Sequence, residues 1–229
     1  MHAALKGIEL CVFDAYGTLY DFNSAVARHK AALGPAADAL ADMWRAKQIQ
    51  YTWLRNAMKS YEPFWNVTAA ALDHCLAAHD ISDLEVRSAL LDSYLALDPY
   101  PEVPAMIADL TNIGMRMAIL SNGNPEMLEP MVAASRLAGA FEAVLSVHEV
   151  EVFKPDPLVY ALVEARCSVT ADKVCFLSSN CWDAHGAAHF GFRTIWINRA
   201  GAPDDGLPGM PIGHLRDLSQ LPQLLGAAR

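Results

Sequence analysis

The side chains of this sequence best suited to chemistry recur at one kind of position. Asp14 stands directly after a short apolar run and is followed by Gly17-Thr18. Ser121-Asn122 follows a second such run, Lys154-Pro155 opens a helix-period stretch, and Ser178-Ser179-Asn180 with Trp182-Asp183 follows a further run. Taken singly, an aspartate before a Gly-Thr turn is more readily a turn former or helix cap than a catalytic carboxylate. Polar groups gathered at several strand ends carry more weight, because in an open α/β sheet that edge is where ligands bind.

The elements that must position these groups can be read from periodicity. Apolar runs at 8–13, 117–120, 143–147, 174–177 and 194–197 have the length and Val, Ile and Phe content of buried strands. Helix-period segments near 103–113, 126–137, 157–166 and 183–189 alternate with them, which predicts an α/β fold with a parallel sheet and right-handed crossovers. Between Tyr20 and Asp98 the pattern changes: no strand-like run is present, and four helices fit, near 24–33, 36–60, 64–79 and 83–97. Residues 20–98 are therefore expected to form a helical cap inserted into a core made of 1–19 and 99–229. On the second cap helix Leu40, Trp44, Tyr51, Leu54 and Met58 share one stripe, and Arg45, Gln48, Ile49 and Thr52 another. The Gly/Pro-rich stretch 201–213 reads as a long surface loop.

Composition narrows the class. The 229 residues are 53% hydrophobic and 19% charged, which fits one large or two small globular domains and excludes a disordered or low-complexity chain. A net charge of −9 with no block of like charges argues against a nucleic-acid or anionic-membrane footprint. Lys6 and Glu9 interrupt the N-terminal apolar stretch, so neither a signal peptide nor a membrane span is expected there, and the chain is expected to be cytoplasmic. The five cysteines, Cys11, Cys75, Cys167, Cys175 and Cys181, are odd in number and lack CxxC spacing, so reduced, mostly buried thiols without redox or metal work are expected. His185 and His189 have the i, i+4 spacing of a metal pair but no third ligand nearby, and are expected to be ordinary helix residues.

The motifs Asp14-Ala15-Tyr16-Gly17-Thr18-Leu19, Trp44-Arg45, Ser121-Asn122-Gly123, Phe153-Lys154-Pro155 and Ser178-Ser179-Asn180-Cys181-Trp182-Asp183 together resemble the haloacid dehalogenase superfamily. Its members carry a nucleophilic Asp, a Ser/Thr, a Lys and an acidic loop in that order, with a cap after the first strand. The likeness covers nearly the whole chain and implies a Rossmann-like core with helices on both faces of the sheet. It is narrower toward the L-2-haloacid dehalogenases than toward the phosphatases. A phosphatase of this superfamily uses a second Asp two residues after the nucleophile to protonate the leaving alkoxide, and Mg²⁺ to neutralise phosphate. Here those places hold Tyr16 and, in the late loop, Ser179. A halide leaving group needs no proton, and a monoanionic acid needs no divalent metal.

The resemblance implies attack by Asp14 on the α-carbon of a 2-haloalkanoate, then hydrolysis of the resulting ester, with no cofactor and no metal. Lys154 would hold Asp14 oriented and ionised, and Thr18 would bind one of its oxygens. Asp183 and Asn180 would position or activate water, with Ser178 and Tyr160 completing the network; for these last two, ordinary capping and packing are an equal alternative. Arg45, by its position a snorkelling surface cation, is implied to reach down to the halide. Ser121, Asn122 and the backbone N–H groups of Ala15 and Tyr16 would bind the substrate carboxylate. Ile49, Phe64 and Trp182 would wall in the alkyl group, unless they are simply core. Ala46 departs from the longer polar residue often found there, which leaves chain-length preference open. The expected partners are a small haloacid, the halide product and a second copy of the chain. A Mg²⁺-dependent phosphatase and a non-catalytic small-acid binder remain as rival readings.

Overall fold

The computed structural model describes residues 2–135 and 137–226. From the N-terminus, β1 (Leu10–Phe13) leads through β2 (Tyr20–Asp21) into five helices, α1 (Asn23–Ala27), α2 (Lys30–Leu33), α3 (Ala37–Met58), α4 (Phe64–Ala78) and α5 (Leu84–Tyr94), and β3 (Asp98–Pro99) brings the chain back. Helices and strands then alternate: α6 (Val103–Asn112), β4 (Arg116–Ser121), α7 (Pro125–Ala134), β5 (Ala143–Ser146), α8 (Pro157–Cys167), β6 (Val174–Ser178), α9 (Cys181–Phe190) and β7 (Arg193–Ile197). The short β8 (Gly213–Leu215) and α10 (Leu221–Gly226) follow.

Six strands make one parallel sheet in the order β5-β4-β1-β6-β7-β8, as the alternating pattern predicts. β1 is central and wholly buried, with Phe13 in register with Ile119 on one side and Leu177 on the other. From β1 the chain proceeds outward to β4 and β5, then returns across β1 to β6 and β7. Right-handed crossovers therefore place α6 and α7 on one face and α8 and α9 on the other. The reversal of winding beside β1 opens a crevice at the carboxyl ends of β4, β1 and β6, and Asp14 sits in it.

The helical segment departs from expectation in three ways. The single helix expected over 24–33 is two, α1 and α2, because the chain turns at Arg28-His29, where His29 Nε2 meets Ser93 Oγ at 2.7 Å. Two very short strands that periodicity cannot reveal, β2 and β3, pair antiparallel (Tyr20 with Pro99, Asp21 with Asp98) and close the two ends of the segment together. The buried face of α3 runs through Ala37, Leu40, Ala41, Trp44, Gln48, Ile49 and Thr52, while Leu54 and Met58, grouped above on one stripe with Leu40 and Trp44, are exposed. Polar Gln48 is buried because its amide is fully employed: Nε2 donates to Thr68 Oγ1 (2.7 Å) and Tyr94 Oη (3.0 Å). Trp44 adds an Nε1–H bond of 2.9 Å to the Thr68 carbonyl, fixing α3 on α4.

In the core, the helix expected over 126–137 ends at Ala134, and Arg136 lies outside the described residues. The loop expected over 201–213 ends in β8, three residues too short to signal a strand. All five cysteines are buried. No helix of the described residues is long and apolar enough to cross a membrane.

Candidate active site

Asp14 follows β1 directly and is 5% exposed; its backbone N–H donates to the Leu177 carbonyl (2.9 Å), which continues the sheet one step beyond the strand. Both carboxylate oxygens are held. Oδ1 accepts from Lys154 Nζ at 3.0 Å; Oδ2 accepts from Thr18 Oγ1 at 3.1 Å and from Asn180 Nδ2 at 3.0 Å. Gly17, at φ +87, supplies the turn that returns Thr18 onto Asp14, and a Cβ there would lie 2.8 Å from Ser179 Oγ. Arg199, just past β7, secures the same turn by donating to the carbonyls of Gly17 (3.3 Å) and Thr18 (2.9 Å).

Lys154 lies between two carboxylates, with Nζ 3.0 Å from Asp14 Oδ1 and 2.9 Å from Asp183 Oδ2, and is 1% exposed. Burial works against its ammonium, but Asp14 and Asp183 together outweigh burial and hold its pKa above the ordinary lysine value. Asp183 is wholly buried at the start of α9, and its other oxygen accepts from Tyr160 Oη at 2.8 Å. Burial raises its pKa, against the opposing pull of Lys154, making it a stronger base than an exposed aspartate. Tyr160 is itself pushed well above the usual phenol range by burial and then by Asp183, so it remains a donor.

From the helical side, Arg45 reaches across to the strand ends. Its Nη2 donates to Asn180 Oδ1 (3.2 Å) and the Tyr16 carbonyl (3.3 Å), Nη1 donates to Gln48 Oε1 (2.8 Å), and the guanidinium lies 4.9 Å over the Phe22 ring. The Asn180 amide thus links Arg45 to Asp14. The structure brings Asp14, Thr18, Arg45, Lys154, Tyr160, Asn180 and Asp183 into one connected network of hydrogen bonds.

The remaining candidates stand around it. Ser178 Oγ accepts from Asn180 N (3.2 Å), Ser121 Oγ accepts from Gly123 N (3.1 Å), and Asn122 Oδ1 accepts from Lys154 N (3.0 Å), so these three shape the loops that carry the network. Tyr16 and Phe64 are buried with ring centroids 5.7 Å apart, and Ile49 is buried on α3. Ala15 is fully buried. Trp182 is less enclosed: it packs edge-on against Trp53 of α3 at 5.4 Å and lines an outer groove with Pro155 and His185. Ala46 faces outward into a different groove with Met43 and Leu54, so it does not line the space beside Asp14.

Several contributors went unnoticed in the sequence. Gln48 carries Arg45. Asn56 docks the end of α3 onto the Phe153 backbone through a pair of bonds (2.7 and 2.9 Å), one residue from Lys154. Arg199 had a usable signal, a polar residue at a strand end; Gln48 and Asn56 had none, since both look like solvated helix residues.

The donor set does not fit a resident Mg²⁺ ion. The two carboxylates that face each other already share the Lys154 ammonium, and positions 16 and 179 offer a buried phenol and a hydroxyl engaged by Thr18 (3.3 Å) rather than further carboxylates.

Comparison with known proteins places the chain in a family. A family model described as haloacid dehalogenase-like hydrolase matches residues 8–191. The chain is 42% identical over 219 residues to (S)-2-haloacid dehalogenase 1 of Pseudomonas sp. (strain CBS-3), covering 95% of this chain and 96% of that one. Among solved structures, the L-2-haloacid dehalogenase RSc1362 superposes with a TM-score of 0.93 at 38% identity, covering 96% of this chain and 99% of that one. The L-2-haloacid dehalogenase of Xanthobacter autotrophicus, solved with chloropropionic acid covalently bound, superposes with a TM-score of 0.88 at 34% identity, covering 96% and 98%.

Proposed function

The chain belongs to the haloacid dehalogenase-like hydrolases, and from that membership we propose that it hydrolyses short L-2-haloalkanoic acids to D-2-hydroxyalkanoic acids through an ester on Asp14, without a metal. The observation that carries this reading is the setting of Asp14: a buried carboxylate bonded by Lys154 and aimed by Thr18 and Asn180, with the phenol of Tyr16 rather than a carboxylic acid two residues on. Such a group is a poor agent for phosphate ester chemistry and a good one for displacing a leaving group that departs as a stable anion.

Asp14 attacks the α-carbon in line with the halide, inverting that carbon. Arg45, half-buried against Phe22 and Gln48, stabilises the departing halide. Ser121, Asn122 and the N–H groups of Ala15 and Tyr16 take the substrate carboxylate, and Ile49, Phe64 and Trp182 border its alkyl group. Water activated by Asp183, whose raised pKa suits it to accept a proton, then attacks the Asp14 carbonyl carbon. Tyr160, Lys154 and Ser178 hold Asp183 and Asn180 in place for that step. The helices of 20–98 act as a cap domain over a core of 1–19 and 99–229.

The test is a single turnover in ¹⁸O water with enzyme in excess. The product hydroxyl oxygen should come from Asp14, giving mostly unlabelled hydroxyacid and label on Asp14, and Asp14→Asn should abolish halide release. Fully labelled product with unlabelled Asp14 would make Asp14 a general base instead. Halide release should also survive EDTA.

We further read the protein as a cytoplasmic homodimer. The buried cysteines suit a reducing compartment. Leu54 and Met58 leave an apolar outer face on α3, where Met43, Trp53 and Leu54 line a groove of about 570 Å³ that a second copy would cover. Sedimentation should show a dimer that Leu54→Glu splits; a monomer at all concentrations would refute it.

A further inference from the structure

On the side of α9 opposite Asp183 and its bond to Lys154, three metal-ligating side chains converge. Cys181 and His185 are one helical turn apart, and the loop after β7 brings Asp204 against them, so that one donor atom from each lies within 4.8 Å of the others. The sequence shows the i, i+4 pair His185 and His189 but not this set, because Asp204 arrives from a loop without periodicity. His189 is exposed.

The cluster is built rather than incidental. His185 is 1% exposed; its Nε2 meets Asp204 Oδ1 at 3.0 Å, and its Nδ1 is buried with no hydrogen-bond partner. The Cys181 thiol accepts from the Asp205 N–H at 3.5 Å, and burial pushes its pKa up to about 11. Asp204 is held ionised, first by the Gly206 N–H and then by His185. The loop is seated on the helix: at Gly209, φ +82, a Cβ would come within 2.4 Å of the His185 carbonyl and His189 N. A groove of about 560 Å³ that includes His185, His189 and Trp182 in its walls gives an ion a path from solvent.

We propose that Cys181, His185 and Asp204 form a binding site for a divalent transition-metal ion, Zn²⁺ foremost. One sulfur, one imidazole nitrogen and one carboxylate oxygen are three of the four donors of a tetrahedral zinc site, with water completing it. Donors of such a site lie roughly 3.3–3.7 Å apart, from bonds of about 2.0–2.3 Å. The spacing, up to 4.8 Å, must contract by about 1 Å, and the half-exposed Asp204 side chain is free to supply part of that movement. Binding replaces the Cys181 thiol proton, which passes to solvent, with the metal. The ion ties the 199–212 loop to the helix whose start carries Asn180 and Asp183, and takes no part in bond cleavage.

The test titrates the metal-stripped full chain with Co²⁺, reading thiolate-to-cobalt charge transfer in the near ultraviolet and tetrahedral bands in the visible, then competes with Zn²⁺. One equivalent per chain should bind. Cys181→Ser should remove the charge-transfer band, Asp204→Asn, on an exposed loop and so harmless to folding, should weaken binding by at least about tenfold, and His189→Ala and Cys167→Ser should leave both unchanged. Zn²⁺ should raise Tm in the unaltered chain and not in Asp204→Asn. Absence of saturable one-to-one binding, or bands that survive Cys181→Ser with affinity unchanged in Asp204→Asn, would overturn the site and leave His185–Asp204 as a simple contact.

Discussion

The strand ends and the helices above them solve the same problem, enclosing a small charged ligand, in opposite ways. At the strand ends every charge has its partners in place: both oxygens of Asp14 and both of Asp183 are bonded, and Lys154 serves the two. On the helical side the lining is mostly rings, with Phe64 and Tyr94 packed on Tyr16 of the turn after β1 and Trp44 on Tyr94, with Arg45 as its cation and a Tyr16 hydroxyl that has no partner. The difference teaches where reorganisation is avoided. On the proposed mechanism the attacking carboxylate is oriented before substrate arrives, whereas the opposite wall would keep donor capacity in reserve for the substrate.

The sharpest way to break this contrast is to remove the cation that completes the strand-end network. Lys154→Met leaves two buried carboxylates facing each other, and should abolish halide release and lower stability at pH 7 by about 3–5 kcal/mol. The deficit should shrink as pH falls. Asp183 already has a folded pKa above its unfolded value, because of burial, and it rises further without Lys154. A carboxyl with a raised folded pKa binds more protons folded than unfolded, so it costs stability at high pH and relinquishes that cost as pH drops through the folded value. Urea unfolding at pH 7 and pH 5 measures this; a deficit equal at both would mean the two carboxylates do not feel one another.

The same contrast separates what was legible in the sequence from what was not. Asp14, Asn180 and Asp183 could be read because strand ends in a parallel sheet impose a place for polar groups, and the fold followed from the alternation that creates those ends. Arg45 could be read only through family resemblance, since a half-buried arginine on a helix is equally a surface residue. The helical layer misled because its buried face is not its apolar one: Gln48 and Thr52 go in, satisfied by Thr68, Tyr94 and the Ile49 carbonyl, while Leu54 and Met58 stay out. The break between α1 and α2 depends on His29 meeting Ser93, 64 residues on, and no local pattern encodes it.

A middle-sized effect is expected on the helical side. Arg45→Ala should keep the fold, because α3 is held by Trp44, Gln48 and the Asn56 bonds to Phe153. It should lower turnover by ~10²-fold or more, the cost of deleting one electrostatic stabiliser in a desolvated site. Circular dichroism and halide release report the two halves. Near-normal turnover in the folded variant would return Arg45 to a structural role at Asn180.

The smallest effect is expected at the hydroxyl held in reserve. Tyr16 is 2% exposed, burial holds its phenol well above the usual range, and its oxygen rests against Gly123, where a Cβ would approach it to 2.8 Å. It is therefore a permanently protonated donor aimed at the loop that follows β4, the loop of Ser121 and Asn122. Deleting an unsatisfied buried hydroxyl removes a desolvation cost of about 1–3 kcal/mol rather than a bond. Tyr16→Phe should then leave Tm unchanged or raise it, the opposite of what losing a structural tyrosine bond would do. If the hydroxyl instead finds its partner in the substrate carboxylate, KM should rise severalfold while kcat holds, because an interaction equal in ground and transition states alters binding alone. A fall in Tm would show that the hydroxyl is bonded within the protein, and the two walls of the site would then be alike.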